Sequence, residues 1–223
     1  MTRKVKGDGR TTRWDLHREE RRAEFVAAAV RAIDKHGPDA AVADIAIEAG
    51  VSKPVLYRYF TDKDQVHEAV GQWGAGLVLE RMVPALARRG PARERVTEAI
   101  EAYLATIEEH PQVFLLLVRH RTGSGDLLAD GKASIAASIA RLVGDNLRRA
   151  GVDAAGAEPW AEGVVGLCLS VGEWWLTRQT MTRAAVARYL TEFVWHAYDG
   201  ISQEYGVTPA PRPGTVHHLP QER

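Results

Sequence analysis

The chain has 223 residues, 45% of them hydrophobic, and its 29 lysines and arginines balance 29 aspartates and glutamates. That is the make-up of an ordinary globular protein of one large or two small domains. The single cysteine, Cys168, excludes an intrachain disulfide and any multi-cysteine zinc site. No apolar run is long enough to span a bilayer, and the charged N-terminus lacks the apolar core of a secretory signal. The expectation is a cytoplasmic protein.

In chain order, the first stretch is basic. Over residues 1–14, Arg3, Lys4, Lys6, Arg10 and Arg13 are opposed only by Asp8. A short arm of this kind can follow a phosphate backbone even on a neutral protein, and it is equally the pattern of a solvated tail. From about Leu16 to Lys35, Phe25, Val26, Ala29, Val30 and Ile33 fall on one helical face, and Gly37 with Pro38 ends the helix. A short helix is predicted over Val42 to Ala49, broken at Gly50. Another runs from about Ser52, a good N-cap, to Phe60, with Pro54 tolerated in its first turn. Thr61 is placed to cap a longer helix whose first turn holds Asp62 and Asp64. Pro84 is expected to end or kink that fourth helix.

Val96, Ile100, Tyr103 and Ile107 make an apolar stripe on the fifth helix, separated by His110 and Pro111 from the apolar run Val113 to Val118. A loop with Gly123, Gly125 and Gly131 follows. Helices are then predicted from Ala133 to Ala150, from about Pro159 to Thr180, and from Thr182 to about Tyr205. Residues 206–223 carry Pro209, Pro211, Pro213 and Pro220 and cannot bury enough apolar surface to order themselves. His217 and His218 in that tail read as solvated residues rather than metal ligands. The pattern contains no repeat and no strand, so the fold class is all-α.

The informative stretch is Asp44 to Val66. Two short helices are joined by a tight turn holding a glycine, the outline of a helix-turn-helix. Ile45 and Ala46 bury the first helix. Ala49 and Gly50 make room for the turn, and Gly50 can take a left-handed conformation. Val51 plugs the angle, and Val55, Leu56 and Phe60 anchor the second helix from beneath. Lys53, Tyr57, Arg58 and Tyr59 are left to project outward or toward the flanks. A short helix with an exposed N-terminal end is suited to a DNA major groove.

Residues 21–70 resemble the DNA-binding domain of the TetR family of bacterial transcriptional regulators. The residues that carry the resemblance are Gly37, Ile45-Ala46, Ala49-Gly50-Val51-Ser52, Leu56-Tyr57, Tyr59-Phe60 and Lys63. The chain departs from the family pattern where Ala40, Ala41 and Val42 stand in place of the usual threonine at the start of the second helix. The resemblance implies that Ser52, Lys53, Pro54 and Arg58 face base edges or nearby phosphates, with Arg58 suited to guanine and Lys53 to either. Tyr57 and Tyr59 would donate hydroxyls to phosphates or pack as core aromatics. Lys63, at a helix N-terminus, would meet a phosphate. Arg3, Lys4 and Lys6 of the arm would reach the adjacent minor groove.

The resulting organisation is a basic arm at 1–17, a three-helix DNA-binding domain at 18–66, a larger helical effector-binding and dimerisation domain at 67–205, and a Pro-rich tail at 206–223. The last two helices read as a dimer interface. Val186, Leu190, Phe193, Val194 and Ala197 form one apolar face of the final helix, and Gly163 and Gly166 permit close approach in the helix before it. An effector pocket is expected among the middle helices, lined by Phe114, Leu117, Trp160, Cys168, Trp174 and Trp175. Arg119, His120 and Arg121 would meet an anionic head group there. A simple apolar core with solvated cations accounts for the same residues. Cys168 itself reads as a small buried side chain.

An enzyme is the reading from another class. Ser, His and Asp are too dispersed to nominate a triad, the histidines lack metal-ligand spacing on one helix, and no glycine-rich phosphate loop follows a strand. No cofactor and no metal are expected, and no membrane. An architectural DNA-binding protein needs no large apolar C-terminal half. The sequence thus points to a homodimeric, ligand-responsive regulator of operator DNA. The default is a repressor released by a lipophilic, fatty-acyl or acyl-CoA effector; an activator or a co-repressor-dependent regulator is the alternative.

Overall fold

Helical periodicity becomes helix throughout the residues that the structure, a computed structural model, describes: 9–119 and 129–206. The order is α1 (Gly9–His36), α2 (Val42–Glu48), α3 (Lys53–Leu56), α4 (Lys63–Ala87), α5 (Ala92–Glu109), α6 (Pro111–Arg119), α7 (Ala129–Arg149), α8 (Ala157–Arg178) and α9 (Arg183–Glu204). Among the described residues there is no strand, and no helix is long and apolar enough to cross a membrane. Arg3, Lys4, Lys6, His120, Arg121, Gly123, Gly125 and the tail from residue 207 lie outside the described residues.

The helix ends follow local chemistry, with several departures from expectation, four of them outside α3. First, α1 begins at Gly9 instead of near Leu16, so the second half of the expected arm is helical. Second, Asp62 rather than Thr61 caps α4. Its carboxylate accepts from the Gln65 N–H at 2.8 Å, while the Gln65 side chain accepts from the Thr61 N–H at 3.0 Å. Third, Pro84 falls within the last turn of α4, which runs on to Ala87. Fourth, Gly131 belongs to α7 and not to the preceding loop. A Cβ there would stand 2.7 Å from the Cβ of Ala75, so the missing side chain is what lets α7 lie against α4.

The start of α2 lacks the threonine of the usual pattern. Asp44 supplies half of a capping arrangement instead, its carboxylate accepting from the Ala41 N–H at 2.8 Å. Gly37 ends α1 with φ +90°, a conformation that costs a glycine little.

One apolar core joins the two halves. Phe25, Ile33, Ile45, Leu56, Phe60 and Val66 fill the N-terminal part, and Leu104, Val113, Leu116 and Leu117 continue it into the larger bundle. The direction of each helix decides what meets where. α4 leaves the N-terminal helices and α5 returns, bringing His110 back to Asp34 of α1. Arg183 at the start of α9 pairs with Glu108 at the end of α5. Trp160 near the start of α8 stacks edge-on against Tyr205 just past α9, at 5.9 Å. A Cβ at Gly144 of α7 would lie 3.6 Å from Ala157, which opens α8. The end of the bundle far from α1–α3 therefore gathers the C-terminal ends of α4, α7 and α9 with the N-terminal ends of α5 and α8.

Candidate nucleic-acid interface and cavity

α3 presents a short exposed surface because everything beneath it is locked. Leu56 and Phe60 are buried to 1% exposure, and the ring of Tyr59 meets Phe25 edge-on at 4.9 Å. The turn before α3 is set by Gly50 at φ +64° and by the Val51 N–H donating to the Ala46 carbonyl at 3.0 Å. α3 is only Lys53–Leu56, shorter than the expected helix to Phe60, and Ser52 stands at its N-cap without a side-chain cap hydrogen bond. Beyond it the chain tightens through i→i+3 bonds from Arg58 to the Val55 carbonyl and from Tyr59 to that of Leu56. Ser52, Lys53, Pro54, Tyr57 and Arg58 are exposed on this corner, and Lys63 is half-buried at the first position of α4. No carboxylate pairs with Lys53 or Arg58 among the described residues, so both charges face solvent uncompensated. Tyr59 is half-buried against Phe25, which favours the packed role of its two expected ones.

α2 is held to α1 by Lys35 and Arg31. The Lys35 ammonium lies 2.9 Å from a Glu48 carboxylate oxygen, and Arg31 donates to the Glu48 carbonyl at 3.3 Å. Lys35 lowers the Glu48 carboxyl pKa first by hydrogen bonding and then by its charge. The contact fixes the angle of α2 and leaves Ile47 73% exposed beside α3.

The larger half holds a cavity of about 930 Å³ between α4, α5, α7, α8 and α9, with α6 at the end nearer the N-terminal helices, and it opens on the α8–α9 side, where the exposed Gly163, Phe193 and Ala197 belong to its lining. That is the upper part of the range for small-molecule sites. Its wall is overwhelmingly apolar: Val78, Ile100, Phe114, Leu117, Ile135, Ile139, Leu142 and Leu167 all contribute. Tyr103 crosses the wall, donating its hydroxyl to the Cys168 carbonyl at 2.8 Å and meeting Phe114 edge-on at 6.4 Å. Burial raises the Tyr103 phenol well above its usual pKa and pushes the Cys168 thiol up to about 12. Cys168 is therefore an inert, protonated lining residue.

At the end nearer α1–α3, His110 lines the cavity and places its Nδ1 2.6 Å from Asp34 Oδ2. Trp73 of α4 meets the imidazole edge-on at 5.0 Å. A single side chain thus touches the cavity, α4 and the helix that carries the N-terminal core.

The structure sorts the expected cavity residues. Phe114, Leu117, Trp160 and Cys168 do line it. Trp174, Trp175 and Arg119 do not. Trp175 is 5% exposed and turned the other way, donating its indole N–H to the Met181 carbonyl at 2.9 Å. Trp174 is 42% exposed, and Arg119 points outward from the end of α6. The run of adjacent tryptophans could not show this, because neighbours on a helix point about 100° apart. Sequence reasoning missed the cations that do line the cavity: Arg88, Arg89, Arg95, Lys132 and Arg149. One signal was legible. Arg95 sits four residues before Ala99 and eight before Tyr103, a charge on the apolar face of α5.

The outer surface of α8 and α9 is also sorted. Val186 and Leu190 are 2% and 3% exposed and face the protein's own core, contrary to expectation. The outward stripe of α9 is Tyr189, Phe193, Ala197 and Gly200, one register away, with Phe193 65% exposed. Val194 is half-buried between the two faces. On α8, Gly163, Ser170 and Trp174 are exposed and Gly166 is half-buried, with nothing within 4 Å of a Cβ built at either glycine.

Comparison with known proteins agrees with both halves. Residues 25–70 match the family model described as bacterial regulatory proteins, tetR family, and residues 80–208 match a Tetracyclin repressor-like C-terminal domain. An HTH-type transcriptional regulator of Mycobacterium tuberculosis is 34% identical over 204 residues, covering 91% of this chain and 87% of that protein. The HTH-type transcriptional activator FasR of Mycolicibacterium smegmatis is 29% identical over 183 residues, 81% of this chain and 84% of FasR. Among solved structures, the regulator FadR of Bacillus subtilis in complex with stearoyl-CoA superposes with a TM-score of 0.65 at 16% identity, covering 77% of this chain and 96% of that one.

Proposed function

The chain belongs to the TetR family of bacterial transcriptional regulators, and from that premise we propose that it is a homodimeric repressor released from a palindromic operator by a lipophilic, acyl-bearing effector. The observation that carries this reading is the pairing of an uncompensated cationic corner at α3 with an apolar cavity of about 930 Å³ in the same chain. Residues 18–66 form the DNA-binding unit and 67–205 the effector and dimerisation unit. Ser52, Lys53, Pro54, Tyr57 and Arg58 approach the DNA, with Lys63 on a phosphate. The half-buried Tyr59 adds its hydroxyl at the edge. The partner subunit packs on the outer α8–α9 surface, where Gly163 and Gly166 allow close approach and Phe193 and Ala197 supply apolar contact.

The mechanism is a two-state shift. Dimer geometry spaces the two α3 corners by roughly 34–36 Å, one turn of DNA. An effector that fills the cavity binds one geometry better than the other, and DNA affinity falls by that ratio of affinities. The His110–Asp34 contact joins the cavity wall directly to α1. Stearoyl-CoA in a relative of the same fold supports an acyl ligand class. The activator name of the relative at 29% identity favours a second reading, in which the liganded dimer is the form that binds DNA.

Selection of bound sequences from random duplexes at about 0.1–0.2 M salt tests the first half, since non-specific binding is suppressed there. Enrichment of a palindrome is expected. Titrating palmitoyl-CoA into the selected complex then tests the second half: loss of DNA supports the repressor, gain supports the activator, and no change sinks the acyl effector.

A further inference from the structure

Every charged side chain on the cavity wall, among the described residues, is a cation: Arg88, Arg89, Arg95, Lys132 and Arg149. The arginines converge because α4 ends, α5 begins and α7 ends at the same far end of the bundle. They differ in how much of their charge is already answered. Arg88 is paired with Glu98 at 2.5 Å, and Lys132 with Glu162 at 3.0 Å. Arg95 has no carboxylate partner: it donates through Nη1 to the Leu86 carbonyl at 2.9 Å, and its Nε is buried with no hydrogen-bond partner. Arg149 donates only to neutral acceptors on its own helix, the Asp145 carbonyl at 3.1 Å and the Asn146 side chain at 2.6 Å. Arg89 is exposed and has no carboxylate partner among the described residues.

Arg95 lines an apolar cavity with no carboxylate to answer its charge, a costly arrangement for an empty site and a natural one for a site that receives an anion. Its planar fork suits a carboxylate, sulfonate or phosphate. The far end is also the end remote from His110, so a ligand anchored there lays its apolar part along the wall toward the His110–Asp34 contact. We propose that Arg95, with Arg89 and Arg149, forms an anion-binding site at the far end of the cavity that holds the negatively charged head of an amphiphile. The proposal rests on the cavity being an effector site, and it moves the head-group role from Arg119, at the end of α6, to the opposite end of the cavity.

Two fluorescent probes that differ by one charged group test it. 8-Anilinonaphthalene-1-sulfonate and N-phenyl-1-naphthylamine share their aromatic rings, and only the first carries a sulfonate. Both are titrated into the full-length protein and into its Arg95→Gln, Arg149→Gln and Arg89→Gln variants. The sulfonate is expected to bind wild type at least tenfold more tightly than the uncharged amine. It should lose at least fivefold in Arg95→Gln and less in Arg149→Gln and Arg89→Gln, while the amine stays within twofold throughout. Unchanged amine binding shows that the cavity is intact in each variant. Arg89→Gln, at an exposed position, guards against a folding defect at Arg95. Equal binding of the two probes to wild type, or no selective loss of the sulfonate in any variant, overturns the anion site. Competition by palmitate separates the two readings. If the sulfonate pattern holds and palmitate displaces neither probe, the anion site stands and the acyl class fails. If palmitate displaces both from wild type without the sulfonate pattern, the acyl class stands and the anion site fails.

Discussion

Replacing two glycines of α8 with alanine should have opposite effects on the subunit, because one faces a wall and the other faces space. Alanine gains about 1 kcal/mol over glycine in a helix interior. At Gly172 the new Cβ would stand 2.6 Å from the Tyr103 hydroxyl, 2.9 Å from Ile107 Cδ1 and 3.0 Å from Phe114 Cζ. Tyr103 cannot swing aside without giving up its bond to the Cys168 carbonyl, and Phe114 packs against Tyr103. Overpacking of this kind costs about 1–3 kcal/mol. The clash outweighs the propensity gain, so Gly172→Ala should destabilise the protein by up to about 2 kcal/mol. At Gly163 nothing lies within 4 Å. There the propensity gain stands alone and the subunit should be stabilised by about 1 kcal/mol. If the partner subunit packs on α8, the same methyl should weaken the dimer. Urea unfolding at several protein concentrations measures stability, and sedimentation equilibrium measures dimerisation. A Gly172→Ala protein as stable as wild type would refute the rigid wall. A Gly163→Ala protein with unaltered dimer affinity would refute close helix approach at that position.

Three further outcomes follow from the geometry. Arg58→Ala should weaken binding to the selected operator by about 1–3 kcal/mol and relax preference at one base position, measured by competition with single-base variants; unchanged affinity and preference would remove Arg58 from base readout. His110→Gln and Asp34→Asn should each leave DNA affinity without effector nearly intact but shrink the change that palmitoyl-CoA produces, and the double variant should be no worse than either alone. Additive losses would show that the two residues act separately. Cys168, with its pKa at about 12, holds about a thousandfold less thiolate than an ordinary thiol, so iodoacetamide at pH 8 should label it only after urea unfolds the chain. Its raised pKa also has a stability consequence: the unfolded thiol releases its proton first. The contribution is complete below about pH 9 and is lost as pH climbs toward 12, with buried Tyr103 acting in the same direction.

The amino-acid sequence by itself determined the elements and the exposed corner at α3. Residues that set α2, α3 and the turn between them lie within about twenty positions of one another, so Asp44, Gly50 and the buried anchors Leu56 and Phe60 speak through local rules. Ser52, Lys53, Tyr57 and Arg58 could be read as outward-facing for the same reason. Position within the bundle was another matter. The stripe of α9 was legible as apolar, but which of its two apolar faces meets the core depended on how α9 packs against α5. That packing turned Val186 and Leu190 inward and left Phe193 outside. Gly131 read as a loop residue because its partner, Ala75, is more than fifty positions away. The cavity cations were hidden for the same physical reason. Arg89, Arg95 and Arg149 belong to three different segments, and only the directions of α4, α5 and α7 bring their charges to one end of an apolar space.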